Sequence, residues 1–414
     1  MINQLLSFAS VMKSVWGIVL AIVILLAMVT IHEFGHYVAG KLLNFKINEF
    51  SIGFGPALFK KRSKKTGELF ALRIVPLGGY CAFDGEDEME ELEKSAKKSQ
   101  ADEDPFAEET ELVLEEKTKN EGGRDALKSE EEYPEPKGER FNDQKPWKRI
   151  IVLVAGATMN YLLALLLIIL MFACIGRPMY TVMERPAETT PEATAIFTET
   201  EENVGLQAGD VVLKIDGHNV YMITDYMDAI DGKKAGEEVA VEVLRDGEEL
   251  TVTMKLAIDA EFVNMSDTMT LLHAMDVYGL APVTVKQGFF RSIGHSFGYS
   301  VKIGGTVLRS LGELLTGKLG LDAMGGPITT IQVTSQAASS GMLSFLNIAA
   351  FIGVNLAVFN LLPIPALDGC KVIFCIIEWI RKKPINRKVE TIIHLVGIVF
   401  LFGFAILVDL LQLF

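Results

Sequence analysis

The chain has 414 residues, of which 50% are hydrophobic and 22% carry charge, and its net charge is −14. This composition excludes an ordinary soluble enzyme and indicates a membrane protein with polar domains. The acidity is local, because residues 84–143 hold 23 acidic and nine basic side chains and so account for the whole net charge. We expect no nucleic acid among the partners.

Four apolar stretches are long enough to cross a bilayer, which takes about 20 helical residues. They cover residues 15–31, 150–175, 343–367 and 391–414. Lys and Arg gather after the first stretch and before the second and fourth, which predicts cytoplasmic loops there. The segment 177–341 and both termini are then extracytoplasmic. The first stretch lacks the small-residue cleavage site of a signal peptide, so we expect it to remain as an anchor.

The sequence HEFGH follows the first stretch directly. On a helix, His32 and His36 lie on one face, where two imidazoles can bind one metal ion. Glu33 is placed to act as a general base toward water at that ion. The motif therefore predicts a catalytic zinc site. A catalytic zinc usually takes a third protein ligand, and the next residues offer no further histidine, so that ligand must come from elsewhere.

Two β-rich runs, KINEFSIGFGPALFKK and ELFALRIVPLGGYCAF, surround the turn SKKTGE and predict a hairpin. A hairpin that dips toward the membrane could pair with an extended substrate as an additional strand. An ordinary cytoplasmic hairpin is the alternative interpretation. The acidic insert that follows is rich in Glu, Lys, Ser and Pro, which is typical of a solvated, flexible spacer. A regulatory docking role for the insert is the alternative.

The extracytoplasmic segment contains VGLQAGDVVLKIDGHNV, which resembles the signature of a PDZ domain. Two strands around Asp246 and Gly247 are predicted to form a hairpin. The segment before this signature lacks the apolar strand and the small-residue turn that a PDZ domain is expected to have there. Exclusion of large substrates by the bulk of the domain is therefore favoured over peptide binding. Apolar residues at helical spacing between Phe289 and Leu315 predict amphipathic helices on the outer membrane face.

The third apolar stretch ends in NLLPIPALDG. Pro363 and Pro365 cannot sit comfortably in a helix interior, so the span must open into extended backbone. Asp368 follows in apolar surroundings, where an unpaired carboxylate is unfavourable, and a metal ion would remove that cost. Alternatively, Asp368 caps a new helix that begins at Gly369. Both readings can hold together.

The motifs HEFGH and NLLPIPALDG, with a PDZ-like segment between them, resemble the site-2 protease family of intramembrane zinc metalloproteases. The resemblance is to its bacterial PDZ-containing branch, the regulators of sigma-factor signalling, and it covers nearly the whole chain except the acidic insert. It implies a zinc ion held by His32, His36 and Asp368, with Glu33 as the base. It also implies that Asn360 helps to position the substrate backbone.

The same resemblance implies a membrane-associated β-loop, which the sequences GFGP and PLGGY fit, and a PDZ domain that acts as a size filter. The expected substrate-binding residues are Asn360, Pro363, Pro365, Gly53, Gly55, Gly78 and Gly79. Expected partners are membrane lipid, single-span membrane substrates such as anti-sigma factors or remnant signal peptides, and a site-1-type protease that trims the same substrate first.

The predicted fold is a polytopic α-helical protein of the bacterial cell membrane, with about four transmembrane helices, a membrane-associated β-hairpin on the cytoplasmic side and an extracytoplasmic PDZ domain. In chain order the expected parts are the first helix with HExxH (1–40), the β-loop (41–83), the acidic cytoplasmic insert (84–145), the second helix (146–176), the PDZ domain (177–260), a linker with amphipathic helices (261–341), the broken third helix (342–380) and the fourth helix (389–414).

Two other classes of function remain open at this point. A metal permease would also place His and Asp inside the membrane, but it requires polar residues across the bilayer, and the outer halves of the spans offer little beyond Asn160. A catalytically inactive scaffold could bind partners through its PDZ domain, but it would have no need of Glu33 or Asp368.

Overall fold

The computed structural model describes residues 2–86, 133–183, 206–230, 232–234, 236–255, 280–321 and 324–412. In chain order the elements are α1 (Ile2–Leu42), β1 (Ile47–Arg62), β2 (Leu69–Phe83), a 3-10 turn (Phe141–Asp143), α2 (Pro146–Cys174), β3 (Arg177–Val182), β4 (Val211–Ile215), β5 (His218–Asn219), α3 (Ile223–Ile230), β6 (Glu238–Arg245), β7 (Glu248–Lys255), β8 (Leu280–Val285), α4 (Phe289–Leu315), α5 (Pro327–Ser340), α6 (Met342–Leu361), α7 (Asp368–Arg381) and α8 (Arg387–Leu411).

Four of the described helices are long and apolar enough to cross a membrane, as the sequence predicts: Val15–Leu42 of α1, and the whole of α2, α6 and α8. The first helix begins at Ile2, and its end lies two residues beyond the expected limit of 40. It continues past His36 to Leu42, and Asn44 follows in the left-handed conformation (φ 63°) that commonly ends a helix. The histidine motif therefore lies inside α1.

The chain divides into two compact units. The first contains residues 1–163, 326–340 and 352–410, and the second contains residues 164–325, 341–351 and 411–414. The first unit holds α1, the β1–β2 pair and most of the remaining apolar helices. The second unit holds the larger sheet and α4. They are described separately below.

The β1–β2 pair is more complex than the predicted single hairpin, because both strands bend. Ile52 pairs with Gly79 and also with Leu72, so the first part of β1 lies between the two ends of β2. The bends fall where the chain has positive φ, at Gly53 (85°), Gly55 and Gly78. Side chains other than glycine rarely adopt this conformation, which explains the glycines at these positions. Among the described residues, no strand pairs with the outer edge of residues 79–83.

The end of the predicted acidic insert is part of the first unit and not of a flexible spacer. Phe141 is buried and packs against the rings of Phe45 and Phe83, at centroid distances of 5.5 and 5.4 Å. The backbone of Glu139 exchanges hydrogen bonds with Asn44 and Lys46. The predicted boundary 84–145 is therefore too wide at its end, because an aromatic cluster holds this segment. Residues 87–132 of the insert lie outside the described residues.

The proline-rich break lies where the sequence predicts it, between α6 and α7. Its backbone forms tight turns rather than the expected extended strand, since Ile364 N–H donates to Leu362 O at 2.8 Å and Leu367 N–H donates to Ile364 O at 3.1 Å. Ala366, at φ 78°, donates its N–H to His394 Nδ1 at 3.1 Å. A new helix does begin at Asp368, but its N-cap is Leu367 and no side chain caps it.

A buried ion-pair cluster joins α2, α7 and α8 within the first unit. Glu378, 5% exposed, accepts a hydrogen bond at Oε2 from the guanidinium of Arg149, which is 3% exposed. Its other oxygen, Oε1, lies 2.9 Å from Arg387 Nη2 and accepts the Ile385 N–H at 2.9 Å. The cluster thus links α7, which begins at Asp368, to α2, to α8 and to the loop between α7 and α8.

We expect Glu378→Ala to destabilise the protein by about 3–5 kcal/mol, because it leaves the Arg149 guanidinium buried without a counter-charge. The measurement is unfolding of the detergent-purified protein. Glu313→Ala is the matched control, since Glu313 pairs with Arg309 on an exposed face of α4 and such pairs contribute at most about 1 kcal/mol. Equal stability of the two variants would contradict this expectation.

The second unit contains a sheet with the strand order β7-β6-β4-β3-β8, with β5 paired to β4. The predicted hairpin is present, and Asp246 (φ 51°) and Gly247 (φ 88°) form its turn. Strand β8 pairs with β3 along its whole length, from Arg177↔Val285 to Val182↔Leu280. The expected domain limit at residue 260 is therefore wrong, because a strand from the predicted linker completes the sheet.

A single 27-residue helix, α4, replaces the amphipathic helices expected between Phe289 and Leu315. Its buried positions include three serines, Ser292, Ser296 and Ser300, together with Tyr299. Ile303 and Val307 are also buried. Seven other large apolar residues of the helix are exposed, and they are Phe289, Phe290, Ile293, Phe297, Val301, Leu308 and Leu315. Lys302 and Arg309 form ion pairs with acidic residues of α3. The apolar face of α4 is therefore uncovered in the described chain.

Candidate metal centre and active site

Three potential ligand atoms meet where α1 faces the start of α7. His32 Nε2 and His36 Nε2 are 3.1 Å apart. Asp368 Oδ2 lies 3.0 Å from the first and 3.3 Å from the second. All three side chains are largely buried, with at most 19% exposed. The helical spacing of the histidines and the start of α7 after the proline break produce this convergence.

The donor set fits a zinc ion. Ligands held 2.0–2.1 Å from a tetrahedral ion are separated by about 3.3 Å, close to the distances between these atoms. Asp368 Oδ2 lies within 3.3 Å of both Nε2 atoms, so with neutral imidazoles that direct these nitrogens inward three lone pairs face one another, which is unfavourable unless a cation occupies the centre of the triangle. His36 Nδ1 lies 2.8 Å from Val152 O, the kind of outer contact that orients a metal-binding histidine.

Glu33 lies beside the three ligands and lines the same cleft, which has a volume of about 670 Å³. The cleft is bounded by α1, β1, β2 and the start of α7, and its polar lining also includes Asn48, Glu49, Arg62, Tyr80, Asp84, Glu86 and Lys371. Nε2 of both histidines faces Asp368, so their other ring nitrogens face α2. A carboxylate at the wall of a cleft beside a metal centre can accept a proton from water.

Strand residues 80–83 form one wall of this cleft, and Gly79 directly precedes them. A methyl group on Gly79 would lie 2.8 Å from Ser51 O and 3.4 Å from Glu33 Cγ, so glycine is needed for this close approach. Gly53, Gly55 and Gly78 lie in the bends of the two strands, outside the cleft lining. Of the four predicted substrate-binding glycines, the structure thus places Gly79 next to Glu33.

A hydrogen-bonded cluster fixes the wall strand and was not foreseen in the sequence. Arg73 donates to Glu49 Oε1 at 2.7 Å, to the Tyr80 hydroxyl at 2.8 Å and to Ser51 Oγ at 2.8 Å. Tyr80 also donates to Glu49 at 2.9 Å. Burial, and then the hydrogen bond to Glu49, raises the pKa of Tyr80, so its hydroxyl stays protonated. The long-range pairing of the bent strands creates this cluster, and no local motif signals it.

The remaining predicted residues lie near Asp368 but outside the cleft lining. Asn360 is in the last turn of α6, and Pro363 and Pro365 are in the break. A methyl group on Gly397 of α8 would overlap with Pro365, so α8 packs closely on the break. His394 of α8 supports the same break, because its Nδ1 accepts the Ala366 N–H.

A zinc-binding HExxH helix, a distant aspartate and four apolar helices define a membrane-embedded metalloprotease. The profile of Peptidase family M50 matches residues 20–404, and the chain belongs to this family. This confirms the resemblance to the site-2 proteases and the dependence on zinc.

Two relatives are similar over almost their whole length. The zinc metalloprotease RasP of Bacillus licheniformis is 29% identical, with 90% of this chain and 93% of the relative aligned. The regulator of sigma-W protease RasP of Bacillus subtilis is also 29% identical, over 92% of this chain and 94% of the relative. These matches favour an enzyme over the permease and the inactive scaffold.

Proposed function

We propose that this protein is an intramembrane endopeptidase that cleaves transmembrane segments of single-span membrane proteins after another protease has trimmed them. Anti-sigma factors and remnant signal peptides are the proposed substrates. The observation that carries this proposal is the convergence of His32, His36, Asp368 and Glu33 in one cleft built on apolar helices. The name of the sigma-W relative supports the link to sigma-factor signalling.

The proposed chemistry is hydrolysis of one peptide bond. His32, His36 and Asp368 would hold the zinc ion, which would supply Lewis acidity at the reacting atoms. Glu33 accepts a proton from the attacking water and returns it to the leaving amine. Burial of the three ligands excludes bulk water, which strengthens the electrostatic interactions within the site. Asn360 is the proposed contact to the substrate backbone, with Pro363 and Pro365 shaping the segment that bears it.

The substrate must be extended where it is cut, since a helical peptide bond is hydrogen-bonded and covered by side chains. The outer edge of residues 79–83 has no strand partner among the described residues and lies beside Glu33. A substrate strand that pairs with this edge would form new backbone hydrogen bonds whatever its amino-acid sequence. The glycine bends at Gly53, Gly55 and Gly78 give that edge its direction.

The second unit is the proposed size filter. Its strand order and hairpin support the PDZ-like reading of the sequence, and we place this unit outside the cell on the basis of the Lys and Arg distribution. By the same rule the metal centre and the acidic insert face the cytoplasm, and both termini are extracytoplasmic. The uncovered apolar face of α4 fits the outer lipid surface.

The test uses the purified protein in liposomes with two forms of a single-span substrate, one with a folded extracytoplasmic domain and one with that domain removed. We expect cleavage of the trimmed form only, at a bond within the transmembrane segment, as located by mass spectrometry. Cleavage in the folded domain, or equal cleavage of both forms, would contradict the proposal. A chain lacking residues 206–255 should lose the preference while retaining cleavage.

A further inference from the structure

The second apolar helix, α2, carries three residues at a spacing of four that face the histidine pair of α1. Val152 offers its carbonyl to His36 Nδ1 at 2.8 Å. At Gly156 a methyl group would come under 3.0 Å from both imidazole rings. The side-chain amide of Asn160 lies 3.3 Å from His32 Nδ1. On this face of α2, Val152 and Asn160 each provide a hydrogen-bonding group, and Gly156 between them leaves room for the two imidazole rings.

The amide of Asn160 is buried, with 1% of the residue exposed, and its Oδ1 has no hydrogen-bond partner among the described residues. Its Nδ2 is the atom placed toward His32. An imidazole that offers the lone pair of Nε2 to a metal ion carries its hydrogen on Nδ1, which can then only donate. An amide nitrogen also only donates. As placed, two donors face each other while an acceptor is left without a partner.

Rotation of the amide by half a turn resolves both problems, because the nitrogen and oxygen of an amide have nearly the same shape. We infer that Asn160 Oδ1 accepts the Nδ1–H hydrogen of His32 in the working enzyme, and that Asn160 is the residue that positions this metal-binding histidine. Val152 O performs the same task for His36 with a main-chain oxygen. The inference rests on the metal ligands assigned under the proposed function.

The test is the zinc affinity of detergent-purified variants, measured by competition with a chelator. Asn160→Leu keeps the volume but removes the acceptor, so we expect affinity to fall about 10–100-fold, as for loss of other outer partners of metal-binding histidines. Asn160→Asp keeps an acceptor and cannot donate, so its affinity should stay close to that of the original protein. Thr158→Val is the matched control, because Thr158 is exposed on the same helix and bonds only to Val154 O in the described chain.

The outcomes separate three explanations. Unchanged affinity in Asn160→Leu would overturn the inference, and equal loss in Asn160→Leu and Asn160→Asp would overturn the role of the oxygen as acceptor. Failure of the original protein to bind zinc would instead overturn the ligand assignment itself.

A second measurement does not depend on the folding of any variant. The chain has six histidines, so nitrogen-15 labelling of histidine in the zinc-loaded protein gives a spectrum that can be assigned. We expect His32 to carry its hydrogen on Nδ1 and to exchange it slowly with water. A hydrogen on Nε2 would overturn the inference.

Discussion

Glu33→Gln is expected to lower the rate of peptide cleavage by about 10²–10⁴-fold while one zinc ion remains bound per chain. Glutamine has the size of glutamate but cannot take a proton from water, so the loss corresponds to removal of a general base. The ligand atoms of His32, His36 and Asp368 are unchanged by the substitution. The measurement is cleavage of a trimmed single-span substrate, with zinc content determined on the same sample.

Glu86→Gln is the matched control for this variant. Glu86 lines the same cleft, but its carboxylate pairs with Lys371 Nζ at 2.7 Å. The loss of this ion pair should change the rate far less than loss of the base does. Undiminished cleavage by Glu33→Gln, or an equal loss in both variants, would contradict the role given to Glu33.

Asp368→Asn is expected to abolish cleavage and to weaken zinc binding. The loss of affinity should exceed the roughly 10–100-fold loss that follows removal of a residue hydrogen-bonded to a metal ligand. The neutral amide of asparagine is a poor replacement for the carboxylate oxygen that lies 3.0 Å from His32 Nε2. The similar size of asparagine preserves the packing at the start of α7. The measurement is chelator competition, followed by the cleavage assay in excess zinc.

The control for this prediction is Asp84→Asn. Asp84 lines the cleft and pairs with Lys46 Nζ at 3.3 Å, away from the histidine pair. We expect full zinc content in that variant. Retention of zinc by Asp368→Asn would remove Asp368 from the ligand set and would leave the third ligand to be found elsewhere.

The parts of the site that follow from local rules were predictable from the sequence. Two histidines four residues apart must share one face of a helix, and two prolines must interrupt a span, so the positions of His32, His36 and the break were foreseen. The apolar periodicity of 289–315 correctly predicted a helix. It did not predict which face packs inward, because Ser292, Ser296 and Ser300 are small enough to let the helix approach closely.

The parts that depend on contacts between distant segments were not predictable. The bent strands create the Arg73, Glu49 and Tyr80 cluster only through pairing that the sequence does not specify. Asn160 was interpreted as an isolated polar residue of a membrane span. Its spacing of four residues from Gly156 is a signal that could have marked a helix face in close contact with the histidines.

The distribution of the ligands along the chain has a consequence for biosynthesis. His32 and His36 leave the ribosome and enter the membrane early, Val152 follows more than 100 residues later, and Asp368 comes more than 300 residues after the histidines. Until α7 is in place, a nascent chain has only two metal ligands and no complete centre. With the proposed ligand set, we therefore expect that the newly made protein does not cleave neighbouring membrane segments before the start of α7 has joined the histidines.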